Sequence, residues 1–122
     1  MLQLIEMGPK VTLREQMELD EGPVVLINVF TVAQEDVDTL LSAWSADAAF
    51  MKTQPGFIST QLHRGIAGSC VFLNYAIWES VRHFRNAFSN PVFQAQLQNY
   101  PPSAKASPHL FKKLAVPGIC TS

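Results

Sequence analysis

Residues 57–78 read FISTQLHRGIAGSCVFLNYAIW, and this stretch decides the fold. Phe57 to Arg64 alternates in the manner of a half-buried strand, and Cys70 to Trp78 is rich in aromatic and β-branched side chains. Gly65-Ile66-Ala67-Gly68-Ser69 joins them through a glycine-bearing turn, so the two runs predict a β-hairpin. Upstream, Gln54-Pro55-Gly56 stops a helix. That helix is predicted from a capping box at Thr31-Val32-Ala33-Gln34 to about Thr53, with Val37, Leu40, Leu41, Trp44, Ala48 and Met51 on one face. Before it, Val24 to Phe30 reads as a strand buried on both sides. Downstream, Ser80 caps a second helix carrying Val81, Phe84, Ala87 and Phe88. Ser89-Asn90-Pro91 breaks and restarts that helix, with Pro91 in the first helical position. Tyr100-Pro101-Pro102 ends it, and His109 to Val116 reads as a last strand after a polar loop.

The order β-α-β-β-α-β predicts an α+β, ferredoxin-like fold: a four-stranded antiparallel sheet with two helices on one face. Residues 23–116 form this domain, residues 1–22 an extension closed by Asp20-Glu21-Gly22-Pro23, and residues 117–122 a tail. Val71, Leu73, Tyr75 and Ile77 would share the uncovered side of the sheet. Burying that side against a second copy predicts a homodimer.

The chain has 122 residues, 48% of them apolar and 16% charged, with net charge −1 and mean hydropathy +0.10. No basic stripe is present, which argues against nucleic acid as a partner. The longest apolar run is far short of the ~20 residues of a membrane helix, so no membrane association is expected. Glu6, Pro9 and Lys10 stand where a secretory leader would be apolar, and two cysteines make no disulfide framework. The expected location is the cytoplasm.

No phosphate loop, dinucleotide fingerprint, nucleophile elbow or zinc-protease motif occurs. His63, His83 and His109 lie on different elements, without ligand spacing, so no metal site is expected. The informative residues are polar groups inside apolar strands. Asn28 interrupts Val24–Phe30, and Asn74 lies between Leu73 and Tyr75. A buried amide is costly unless its hydrogen bonds are met. Strand parity puts Phe72, Asn74, Ala76 and Trp78 on one face. If the hairpin loop is the two residues Ala67-Gly68, Gln61 and His63 join that face; one more residue in the loop removes both. An apolar face with a few convergent polar groups describes a small-molecule pocket. Phe72, Phe84, Phe88 and Leu97 are its candidate apolar lining.

Gln54-Pro55-Gly56-Phe57, Asn74-Tyr75-Ala76-Ile77-Trp78-Glu79-Ser80, Phe84-Arg85 and Asn90-Pro91-Val92-Phe93-Gln94 together resemble the antibiotic biosynthesis monooxygenase family. The motifs are most similar to the small enzymes that oxidise aromatic polyketide anthrones to quinones. The resemblance implies a dimeric α+β barrel, an aromatic substrate, O2 as oxidant and no cofactor. It implies catalytic roles for Asn74 and Trp78. A tyrosine implicated in such enzymes falls at Phe84, which has no hydroxyl. Asn28 and Gln61 are further substrate-binding amides, and His63 is the candidate base if the hairpin parity holds. A non-catalytic aromatic-binding dimer is the alternative reading. Haem degradation ranks lower, because the family's haem-ligating histidine falls near Leu97.

Overall fold

The computed structural model describes residues 1–122. Along the chain run β1 (Gln3–Leu4), α1 (Leu13–Met17), β2 (Val24–Thr31), α2 (Val37–Met51), β3 (Phe57–Arg64), β4 (Val71–Trp78), α3 (Val81–Phe88), α4 (Pro91–Gln96) and β5 (Lys105–Phe111). The sheet order is β1-β5-β2-β4-β3. β1 pairs parallel to β5, and every other pairing is antiparallel. This is the ferredoxin-like α+β fold, with five strands where four were expected. The fifth comes from the N-terminal segment.

Local chemistry sets most boundaries. The Ser80 hydroxyl accepts the His83 N–H and caps α3, and the Asn90 side chain accepts the Val92 N–H ahead of Pro91. Gly56 turns the chain after α2 at φ +84°, and a Cβ there would run into the His83 ring. The expected capping box at Thr31 does not form. Thr31 is the last residue of β2, paired with Val71 and Lys105, and α2 begins after a single 3-10 turn. Ser103 braces this approach instead, its hydroxyl accepting from Ala33 N at 3.1 Å and donating to Asp36 Oδ2 at 2.7 Å.

The last strand starts at Lys105 rather than His109 and stops at Phe111. Proline at position 108 does not exclude it, because the backbone groups of alternate β5 residues point away from β2. Ala106 O accepts from Ile5 N, and Leu110 N and O both bond the Gln16 side chain. Pro108 has the same phase and lies past the end of β1, where a missing N–H forfeits no ladder bond.

The hairpin carries the main correction. Ala67 (φ 62°) and Gly68 (φ 71°) form the expected two-residue turn, with Ser69 N bonded to Ile66 O. Immediately below it, however, Gly65 N bonds Val71 O at 2.8 Å and Arg64 pairs with Phe72. The descending strand therefore holds one extra residue beside the turn, a bulge that reverses the parity of β3 from Arg64 back to Ser59. Leu62 lies opposite Asn74, and Thr60 opposite Ala76. Gln61 and His63 face the other side of the sheet and are exposed.

The helices cover the face bearing Phe30, Phe72, Ala76 and Trp78. Trp78, Phe72, Phe84 and Leu40 are the largest fully buried side chains, each worth about 2–3 kcal/mol of burial. On the uncovered face Val71, Tyr75 and Phe111 are exposed, and Ile27, Val29, Leu73 and Ile77 are half-buried. Residues 1–22 pack on their own domain: Leu2 and Leu13 are buried in its core. The capping box that does form is Thr12 with Glu15, at the start of α1. No helix is long and apolar enough to cross a membrane.

Candidate active site

A cavity of about 70 Å³ lies between the sheet and the helices. One wall is an aromatic chain. Phe57, Trp78, Phe84, Phe88 and Phe93 follow one another with ring centroids 5.5, 5.9, 5.5 and 5.5 Å apart. Phe57 reaches Trp78 because Ile58 is an extra residue in β3: Phe57 pairs with Trp78, and Ser59 already pairs with Ile77. Met51 and Trp44 of α2 close a second side, and Leu2 and Leu4 of the N-terminal segment also line the cavity.

Into this apolar lining project Asn28, Asp47, Thr60 and Asn74. Asn28 and Asn74 sit directly opposite each other on β2 and β4. The Thr60 hydroxyl donates to Asn74 Oδ1 at 2.5 Å. That bond occupies the acceptor of the amide and leaves its N–H2 group without a partner in the chain. Asn28 Oδ1 is buried and unpaired. The two amides therefore offer free N–H2 donors on both strands and one free acceptor, Asn28 Oδ1.

Asp47 is 6% exposed, on the inner face of α2. Tyr100 donates to its Oδ2 at 2.6 Å, while Asp47 Oδ1 is buried without a partner. Burial pushes the Asp47 carboxyl from 3.8 up to about 6, the Tyr100 hydrogen bond pulling the other way. Burial also pushes the Tyr100 phenol far upward, helped by the Asp47 charge and hydrogen bond, so it stays protonated. The Tyr100 ring is fixed by a parallel stack on Phe30, centroids 6.2 Å apart.

The structure brings Asn28, Asn74, Trp78, Phe84, Phe88 and Leu97 together around the cavity. Phe72 is buried beside it in the core but does not line it. Gln61 and His63 lie outside: Gln61 bonds Leu62 O, and His63 Nδ1 lies 3.3 Å from Leu73 O, both exposed. The hairpin bulge is the cause. His83, also outside the cavity, bonds Ser80 through Nδ1 at 2.7 Å. Asp47, Thr60 and Tyr100 were missed. For Asp47 a signal existed: Leu40, Ala43, Asp47 and Met51 recur at helical spacing, which puts a carboxylate on the buried face. No group of three or more His, Cys, Asp or Glu side chains is placed to hold a metal ion.

The family model for antibiotic biosynthesis monooxygenase matches residues 23–98. Among solved structures, SnoaB, a cofactor-independent oxygenase from Streptomyces nogalater, is 26% identical with a TM-score of 0.70, over 80% of this chain and 99% of SnoaB. A candidate monooxygenase from Shewanella loihica PV-4 is 31% identical with a TM-score of 0.65, over 80% of this chain and 99% of its own. A protein from Caulobacter crescentus CB15, 14% identical with a TM-score of 0.68 over 82% of this chain and 98% of its own, shares the fold. No curated protein sequence matches significantly.

Proposed function

The chain belongs to the antibiotic biosynthesis monooxygenase family, and from that premise we propose that its cavity oxidises a flat aromatic compound, an anthrone or hydroquinone, to a quinone with O2 and no cofactor. The observation that carries this reading is the Asn28–Asn74 pair inside an otherwise apolar, aromatic-walled cavity. An anthrone loses a proton to give an electron-rich anion that can itself reduce O2. A ring peroxide forms and loses water, leaving the quinone. The protein has to hold the anion, stabilise its oxygen and exclude bulk water. The free N–H2 of Asn74 and the indole N–H of Trp78 are the donors for that oxyanion. Asn28 Oδ1 accepts a hydroxyl of the bound ring and sets its orientation. His63, on the opposite side of the sheet, has no part in this scheme.

The cavity of about 70 Å³ is smaller than the ~150 Å³ that admits one benzene ring. A fused aromatic therefore binds only as part of the lining moves. The N-terminal strand is the wall that lies at the sheet edge, tied by Leu2 N to Leu97 O, Gln3 N to Ala104 O and Ile5 N to Ala106 O. A second copy covers the apolar outer face around Leu73, Tyr75 and Ile77, giving a homodimer.

The test is oxygen uptake by metal-stripped protein with a panel of anthrones and hydroquinones, against the spontaneous rate. Uptake matched by quinone formation, and cut on the order of a hundredfold in Asn74→Ala, is the expected result. A second reading, an aromatic-ligand binder without oxygenase activity, draws on Phe84, whose ring brings no proton donor to the cavity. Tight binding of a panel compound with no uptake would select it.

A further inference from the structure

The scheme above leaves one task without a residue: something must accept the proton. We infer that the Asp47 carboxylate is the general base of this cavity and that Tyr100 is its positioning residue. This rests on the proposed aromatic oxidation but concerns only its first step.

The geometry singles out one group. Asp47 and Tyr100 are the ionisable side chains that line the cavity. The Met1 ammonium bonds Tyr100 O at 3.3 Å, on the backbone and away from the phenol. Tyr100 is committed as a donor to Asp47 Oδ2, so it cannot accept a proton. Asp47 Oδ1 is the remaining basic atom, buried and unpaired. A carboxylate oxygen left unsatisfied in an apolar site is destabilising for the fold. A leucine or asparagine there would cost less, so the arrangement points to a bound hydrogen-bond donor. The Tyr100 hydrogen bond orients the carboxylate, and the phenol is held in turn by its stack on Phe30.

In the step itself, the acidic ring C–H of the anthrone breaks. Its electron pair moves into the ring and onto the carbonyl oxygen, which Asn74 and Trp78 face with N–H donors. The proton passes to Asp47 Oδ1. O2 then takes up the electrons of the anion at ring carbon, and the resulting peroxide anion regains the proton from Asp47. That transfer restores the carboxylate, and the remaining C–H bond and the O–O bond then break, releasing water and forming the quinone carbonyl. The raised pKa, about 6, keeps Asp47 ionised at neutral pH while making it a stronger base than an ordinary carboxylate.

Deuterium exchange at the acidic methylene of anthrone, under argon in D2O buffer, isolates this step because it needs no O2. The full-length protein is expected to accelerate exchange above buffer, with an acid limb near pH 6. Asp47→Asn keeps an oxygen for Tyr100 and is expected to lose at least ~100-fold of the acceleration. Tyr100→Phe is expected to keep part of it, with the acid limb moved to higher pH, since the lost bond lowered the Asp47 pKa. A purely structural role for Tyr100 would leave that limb in place. Exchange equal in the protein and in a folded Asp47→Asn variant overturns the assignment. So does oxygen uptake by a protein that accelerates no exchange. Exchange lost in Asp47→Asn but without oxygen uptake keeps the base and sinks the oxidation. Neither exchange nor uptake sinks both.

Discussion

Asp47 makes the stability of this protein depend on pH in a direction opposite to that of a salt-bridged carboxylate. Its carboxyl is raised from 3.8 to about 6 in the folded chain. The folded state therefore prefers the protonated form, and the stabilisation is fully present below pH 3.8. It is lost as pH rises through about 6. At about 1.4 kcal/mol per pKa unit, the interval amounts to about 3 kcal/mol in total. Integrating the linkage relation puts about half of that loss below pH 5. Asp47→Asn cannot titrate and still accepts the Tyr100 hydrogen bond. Its unfolding free energy relative to wild type is expected to climb by about 2 kcal/mol between pH 4 and pH 8, the rest of the change lying below pH 4. Other carboxylates titrate equally in both proteins and cancel from the difference. Urea denaturation of the two proteins at half-unit pH intervals measures it, and only the trend matters, since the new amide N–H2 adds a constant offset. A difference that stays flat, or that falls as pH rises, would refute the reasoning: Asp47 would then be solvated or paired in the folded state.

Three further outcomes are expected. Phe84→Ala removes a fully buried ring from the middle of the aromatic wall, and a loss of about 3–5 kcal/mol should appear in chemical denaturation. Tyr75→Lys places a charge on the exposed outer face without touching the cavity side of β4, and if the proposed homodimer uses that face, light scattering should report a shift from dimer in the wild type to monomer in the variant. Deleting residues 1–4 takes Leu2 and Leu4 out of the cavity lining, and kcat/KM for a tricyclic anthrone should rise relative to that for a one-ring hydroquinone.

The strand and helix order was legible because each element carries its own local signal: Ser80, Asn90-Pro91, the apolar stripe of α2, the Ala67-Gly68 turn. So was the inward placement of Asn74 and Trp78, which follows from parity within one strand. What spans two strands was not legible. A single extra residue at Ser69-Cys70 reverses which side of β3 faces the helices, and nothing in a glycine-bearing loop says whether that residue is looped out or paired. Gln61 and His63 exchanged places with Thr60 and Leu62 on that account. Lys105 to Pro108 reads as loop because proline and polar residues disfavour a central strand, and only the sheet order shows that Pro108 lies on a margin. Asp47 was hidden by its neighbours. The stripe through Trp44, Ala48 and Met51 describes the buried face well enough that a carboxylate beside it reads as solvated.

At one margin of the sheet the Gln16 amide takes the part of a neighbouring strand, its Oε1 accepting from Leu110 N and its Nε2 donating to Leu110 O, both at 2.9 Å. The free lane of β5 is thereby plugged by a side chain, and at the other margin the Ile58 bulge breaks the regular spacing of β3. Sheets with unguarded margins recruit one another in open-ended stacks. Here a passing extended chain is left only short runs of free edge, such as Ser59 to Arg64 of β3, to template on. Association is steered toward the flat side of the sheet, the face assigned to the proposed homodimer, where a second copy would cover the patch and leave nothing for a third.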